Sequence, residues 1–390
     1  MANAPKAVLA LAVRACALAA LVHPPVPAAT TAAQIEQLIA ADKLDEAVAA
    51  AREAVRAAPD DPDLHMALAQ ALATKGRRVV PVVEAEIDPT AIGKKDQYLP
   101  FPDLGRNTEV GVIYDHELLD EALSEVRKAI RLSPQRLDLR YSECYLLTDA
   151  GEIQKAAAAI FRTIESFPGR DDLAPTLASY GNERAARGDA AGAVTLLGAV
   201  ATAFPDDPAV LASHGTVLAQ SGRIEEGLEA LDRAAELNPR DTSISRKRGA
   251  VSLLAQDFGR ARSAFLRAHL LSYETSDHFG AAAAQFGLNP TSARSDFEEL
   301  ATTGAASDPL ENELARDFLR AIDRPDTRID LARRLVADQQ GLLAIPILFQ
   351  VLEQSKTDEA ARRMLMEIYG GVGFPPPASS GLPEPSPGSE

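Results

Sequence analysis

A small residue followed twelve positions later by proline recurs along this chain, and that spacing constrains the fold more than any other feature. The pairs are Ala47 with Pro59, Ala122 with Pro134, Ala156 with Pro168, Ala193 with Pro205 and Gly227 with Pro239. With 26 prolines in 390 residues, one falls at a chosen offset roughly once in fifteen positions, so five in phase mark an internal repeat. The small residues stand 75, 34, 37 and 34 apart, and Gly227 leads to Ala261 after another 34. Gly151, Gly188 and Gly222 each precede the small residue by five, with Gly76 as a displaced equivalent one repeat earlier. In a second register Gly181, Gly215 and Gly249 are spaced by 34, with Cys144 and Ala69 in the same slot 37 and a further 75 residues earlier.

Each unit thus offers a small residue on a first helix, a turn glycine, a small residue on a second helix and a closing proline. Antiparallel helices approach closely only where side chains are small. Glycine caps the first helix in a left-handed conformation, and proline cannot continue the second. Apolar residues between these points fall at helical spacing, as in Leu228, Leu231, Ala234 and Ala235. Aromatics are only 5% of the chain and Trp is absent, a composition suited to packed helices rather than sheets.

The stretches Leu44-Asp45-Glu46-Ala47 to Pro59, Leu119-Asp120-Glu121-Ala122 to Pro134, Gly151 through Ala156 to Pro168, Gly188 through Ala193 to Pro205, and Gly222 through Gly227 to Pro239 resemble the tetratricopeptide repeat family. A sixth, Phe258-Gly259-Arg260-Ala261, lacks the closing proline, and the first repeat has Ile35 in the small slot. The resemblance covers about residues 30–272. It implies an all-α, right-handed superhelical solenoid of helical hairpins, and it specifies fold far more than function.

The second repeat is split by about residues 77–115, 41 residues beyond the normal unit. Val79 to Ile87 and Glu109 to Tyr114 are strand-like, with the apolar Tyr98-Leu99-Pro100-Phe101-Pro102 between them. The expectation is a β-hairpin or flap, either packed on neighbouring helices or displaying Tyr98 and Phe101 to a partner. Residues 276–372 lack a clean period but are helical in pattern, as in Leu310, Leu314, Phe318 and Ile322. They are expected to be divergent hairpins that cap the array. Residues 373–390, rich in Pro, Gly and Ser, are expected to be disordered.

At the other end, Lys6, the apolar run Ala7 to Val22 interrupted only by Arg14, and the Pro-rich break before Ala28 and Ala29 predict a signal peptide over 1–29. Export to a periplasm follows as an expectation, and a retained N-terminus would instead make the protein a cytoplasmic regulator. No other stretch is long and apolar enough to cross a bilayer.

The formal net charge of −16 argues against nucleic acid as a partner, because neutralising phosphates needs a basic face. His65, His116, His214, His269 and His278 are dispersed without metal-ligand spacing. Asp115 reads as a helix cap ahead of His116, and Glu84, Glu86 and Asp88 as a solvated strand face. Cys144 occupies the slot of Gly181 and Gly215, which predicts an inert buried thiol. No catalytic residue, cofactor or metal is expected. The resemblance implies a groove lined by first helices, displaying Met66, Gln70, Tyr141, Tyr145, Thr148, Ala178, Asn182, Ala185, Ala212, Thr216, Arg246 and Ala250, with Tyr141 and Tyr145 as its aromatic anchor. The function expected is a non-catalytic protein-binding scaffold of the bacterial envelope. The alternative is an accessory subunit or glycan-acting enzyme with its chemistry in the insertion or the C-terminal part.

Overall fold

The computed structural model of the chain describes residues 31–81, 110–303 and 309–372. The expected signal peptide, the middle of the insertion with Tyr98 and Phe101, and the Pro-rich tail lie outside them. The described residues form eighteen α-helices, two short 3-10 turns and one two-stranded ribbon. They divide into two compact units, one of residues 31–81 and 110–169, the other from residue 170 onward.

The N-terminal unit holds α1 (Ala32–Ala40), α2 (Leu44–Ala57), α3 (Pro62–Gly76), β1 (Arg77–Pro81), β2 (Val110–Tyr114), α4 (His116–Leu132), α5 (Leu137–Asp149) and α6 (Ile153–Ser166). The C-terminal unit begins with three repeats: α7 (Leu173–Ala186) with α8 (Ala190–Ala203), α9 (Pro208–Gln220) with α10 (Ile224–Leu237), and α11 (Thr242–Leu254) with α12 (Phe258–Ser272). It continues through α13 (Thr275–Leu288), α14 (Arg294–Thr303), α15 (Pro309–Asp323), α16 (Arg328–Ala337), α17 (Gly341–Gln354) and α18 (Glu359–Val372).

Local chemistry sets the helix ends. After three of the five closing prolines, an aspartate caps the next first helix. Asp61 accepts from the Asp63 and Leu64 amides at 2.9 and 3.4 Å, and Asp207 from Ala209 and Val210 at 2.9 and 3.0 Å. Asp241 does the same for α11. Pro62 and Pro208 open their helices, where a missing N–H costs nothing.

Outside the split repeat, the turn inside each repeat hairpin is closed by a backbone bond spanning five residues around a left-handed residue. Glu152 N donates to Leu147 O at 2.9 Å around Gly151, Asp189 to Arg184 at 3.0 Å around Gly188, and Arg223 to Leu218 at 2.9 Å around Gly222. The same closure joins α1 to α2 around Asp42 and α11 to α12 around Gln256, although neither is glycine. It recurs between α16 and α17, where Gln340 N donates to Leu335 O at 2.7 Å around Gln339. A hairpin of the repeat type therefore lies in the stretch whose sequence shows no period.

The predicted small slots all close on helix contacts. Ala47, Ala122, Ala156, Ala193 and Ala261 are fully buried. Cys144 is buried too, its Sγ 3.7 Å from Thr163 Oγ1. Gly249 and Gly280 both face the Phe265 ring, which fills the room their missing side chains leave. Beyond α12 the packing turns aromatic. Phe297 stacks on Phe318 at 4.4 Å, and Phe279 meets both edge-on at 5.5 Å. One core runs continuously from Ala212 to Tyr369, so the C-terminal helices share it with the last repeats. The buried Tyr369 hydroxyl donates to Leu254 O at 2.8 Å and fastens α18 to α11.

In the split repeat, α3 runs straight into β1 without a left-handed turn. β1 pairs antiparallel with β2 in the register Arg77 to Tyr114 and Pro81 to Val110. Asp115 N donates to Gly76 O at 2.9 Å and shuts the ribbon's base. The first strand thus starts at Arg77, two residues before the expected Val79, because the pairing begins where the helix ends.

Candidate functional site

Tyr141, Tyr145 and Asp149 follow at spacing four on α5 and so share one face of that helix. Both tyrosines are half-buried, whereas the Asp149 side chain is fully buried. Asp149 is held by the ribbon: Tyr114 donates its hydroxyl at 2.6 Å and Arg77 its Nε at 2.9 Å, both to Oδ2. Since Arg77 and Tyr114 are cross-strand partners at the ribbon's base, one carboxylate anchors both strands. Burial pushes the Tyr114 hydroxyl well above the ordinary tyrosine range, and the adjacent Asp149 charge adds to the push. Burial works against the Arg77 charge, but the hydrogen bond and charge of Asp149 outweigh it and hold that group above its usual value. The ribbon is therefore rooted at the end of the tyrosine stripe.

Also in the N-terminal unit, Met66 and Gln70 of α3 are half-buried and Thr148 is buried. Behind them, His65 Nδ1 lies 2.5 Å from Glu125 Oε2 and its Nε2 lies 2.8 Å from Pro59 O. Burial raises the Glu125 carboxyl, but hydrogen bonds from Lys128 and His65 together outweigh it and hold it below its usual value. This buried pair joins α3 to α4, so His65 is a packed histidine.

In the C-terminal unit, Asn182 on α7 is exposed. Thr216 on α9 is nearly buried and donates its hydroxyl to Ala212 O of its own helix at 2.8 Å. Arg246 on α11 grips the buried Asp277 with two bonds of 2.7 Å and also pairs with Glu274 at 2.7 Å. Ala178, Ala212 and Ala250 are buried. The Arg246 pairing depends on α13, from the stretch without a period, and nothing in the sequence signals it.

Among the described residues, no group of three His, Cys, Asp or Glu side chains is placed to hold a metal ion. Asp115 caps α4, accepting from the Glu117 and Leu118 amides at 3.1 Å each, and leaves His116 exposed. Burial pushes the Cys144 thiol up to about 12, which keeps it protonated. Glu84, Glu86 and Asp88 lie outside the described residues. Among the described residues no helix is long and apolar enough to cross a membrane.

Antiparallel helical pairs closed by one recurring left-handed turn define an α-helical repeat protein. Models of the tetratricopeptide repeat match residues 33–78 and 184–250, and in those stretches the chain carries tetratricopeptide repeats. Proteins of this family serve as scaffolds for protein–protein interaction. No curated protein matches the chain. Among solved structures it is similar to MamA from Desulfovibrio magneticus RS-1, at 20% identity over 40% of this chain and 88% of that one, with a TM-score of 0.29. YrrB, described as a TPR protein with an unusual peptide-binding site, is 14% identical over 60% of this chain and 97% of its own, with a TM-score of 0.32. PilF of Pseudomonas aeruginosa is 16% identical over 51% and 89%, also at 0.32. At such identities and scores these likenesses bear on neither partner nor process.

Proposed function

We propose that this chain is a non-catalytic scaffold of the bacterial envelope that binds peptide segments or partner helices on the first-helix face of its N-terminal unit. The observation that carries this reading is the rooting of the β-ribbon on Asp149, one turn beyond Tyr145 and two beyond Tyr141. Tyrosines at that spacing present a rigid, amphipathic surface of the kind that dominates interfaces. A ribbon clamped beside them by two bonds to one buried carboxylate extends the surface at little entropic cost on binding. The insertion carries Tyr98 and Phe101 between its strands, and those two residues would complete the contact. Asn182, exposed on α7, is the position in the C-terminal unit best able to meet a partner, whereas Thr216 is bonded within its own helix and Arg246 is taken up by Asp277 and Glu274. Export to the periplasm is part of the proposal and rests on Lys6, the apolar run Ala7 to Val22 and the small residues Ala28 and Ala29.

The test is affinity capture from the native envelope with wild type and the Tyr141→Ala/Tyr145→Ala variant side by side. Loss of a captured partner at unchanged helicity supports the reading, and unfolding of the variant would make the tyrosines packing residues instead. N-terminal sequencing of the mature protein tests export: a start at residue 29 or 30 supports it, and a retained Met1 overturns it.

A further inference from the structure

A second surface of the N-terminal unit has the opposite electrostatic character to the chain as a whole. An open pocket of about 390 Å³ is lined by Arg127, Ile130 and Arg131 of α4, Arg140 and Glu143 of α5, and Arg162 of α6. Four guanidinium groups thus surround one carboxylate, in a protein with 56 acidic and 40 basic residues. Glu143 is buried, and its Oε1 already receives Arg127 Nε at 2.8 Å and Arg162 at 3.1 Å. Those two arginines answer its charge. Arg140 is surplus to it: its Nε is buried and has no hydrogen-bond partner. Arg131 lies exposed at the rim, in the last turn of α4.

Structural needs explain one or two arginines on a buried carboxylate. They do not explain two more whose charges repel the first pair and leave a buried donor unsatisfied, a costly arrangement in itself. An anion seated against Arg140 and Arg131 removes both penalties, because guanidinium forks pair with carboxylates through two parallel bonds. Glu143 helps define which anion. Its own negative charge stands in the pocket, so a singly charged carboxylate is repelled less than a doubly charged phosphate. Three of the four arginines come from second helices, so this surface is separate from the tyrosine stripe and does not depend on the reading proposed above.

We infer that the pocket formed by Arg127, Arg131, Arg140 and Arg162 docks an acidic peptide segment of a partner protein, with a Glu or Asp side chain on Arg140 and Arg131. The probe is a fluorescein-labelled octaglutamate peptide, followed by anisotropy with the full chain at about 50 mM salt, where exposed charges are weakly screened. Arg127 and Arg162 are left intact because they hold Glu143. Wild type is expected to bind, and Arg131→Gln/Arg140→Gln to weaken binding by about tenfold or more, the loss expected for hydrogen bonds to a charged group. Arg233→Gln, an exposed arginine of the C-terminal unit, is expected to leave the affinity unchanged. If Arg140→Gln unfolds the protein, Arg131→Gln alone carries the test, since its side chain is exposed. Absence of octaglutamate binding to wild type overturns the inference, and so does equal affinity of the arginine variants. An equal loss in Arg233→Gln overturns it in favour of general charge attraction. Tighter binding of inorganic phosphate than of octaglutamate, measured by competition, overturns it in favour of a phosphate site. Capture through Tyr141 and Tyr145 is unaffected by any of these outcomes.

Discussion

The Tyr114 hydroxyl donates a 2.6 Å hydrogen bond to the carboxylate of Asp149, thirty-five residues away along the chain. Through it the last residue of the ribbon is fixed to the last residue of α5. The insertion is thereby a rooted extension of the repeat rather than a loop that merely leaves and re-enters it. Tyr114→Phe removes the donor and leaves the ring, so the loss isolates the bond. We expect destabilisation of about 1.5–3 kcal/mol, as for a bond to a charged acceptor, read by urea unfolding. Hydrogen exchange should show faster opening of the amides of β1 ahead of Pro81. An unchanged exchange rate would mean that strand pairing alone holds the ribbon.

The close approach of α9 and α10 makes one substitution change sign with position. A methyl added to Gly215 would lie 2.7 Å from Gly227 O, and one added to Gly227 would lie 2.5 Å from Gly215 O. Backbone cannot retreat as a flexible side chain can, so Gly215→Ala is expected to lower stability by about 1–3 kcal/mol despite alanine's better helix propensity. Gly370, in α18, has nothing within 4 Å of a new methyl. There the same change should raise stability by about 0.5–1 kcal/mol. Thermal melts of the two variants decide the matter, and a common sign would refute it.

Three turns use residues other than glycine in the left-handed region: Asp42 at φ 60°, Gln256 at 63° and Gln339 at 60°. A side chain costs about 1 kcal/mol there. Gln256→Gly and Gln339→Gly should each stabilise the fold by about 0.5–1 kcal/mol, while Gly222→Ala should destabilise it. Denaturant midpoints test this, and a loss of stability in Gln339→Gly would show that the α16–α17 turn differs from the repeat turns.

Cys144 links burial to alkaline sensitivity. Its thiol is pushed from an ordinary value near 9.0 up to about 12, chiefly by burial. The folded state therefore holds the proton more tightly than the unfolded chain. The stability this contributes is complete below about pH 9 and is lost as pH rises towards 12. Cys144→Ala should flatten the fall in stability across that window. Native protein at pH 8 should resist alkylation by iodoacetamide on a timescale where unfolded protein reacts fully. Rapid modification of the folded chain would contradict the inert thiol.

Much of this architecture was legible without coordinates, because it is written in residues whose effect is local. Proline ends a helix and glycine accepts a left-handed turn wherever they stand, so Pro59, Pro134, Pro168, Pro205 and Pro239 together with Gly151, Gly188 and Gly222 placed six hairpins. The burial of Cys144 followed from the same period, and the capping role of Asp115 from its place just ahead of the helix that begins at His116. The seventh hairpin, α16 with α17, was legible only as one of several divergent hairpins, because Gln339 adopts the glycine conformation without the glycine signature.

The chain alone also decided that residues 77–115 interrupt a repeat, since the count of 34 breaks there. Only the tertiary structure decided what the interruption does. That depended on Tyr114 and Arg77 meeting Asp149 across thirty-five and seventy-two positions. Likewise, Arg246 reads as a groove residue from its position on a first helix, yet it is drawn onto Asp277 by a helix outside the period. The four arginines around Glu143 come from three helices, and only Arg127 and Arg131 share a helical spacing. Periodicity reports which residues share a face of one helix. Which charges share a pocket depends on how separate helices pack, and that information exists only once the chain has folded.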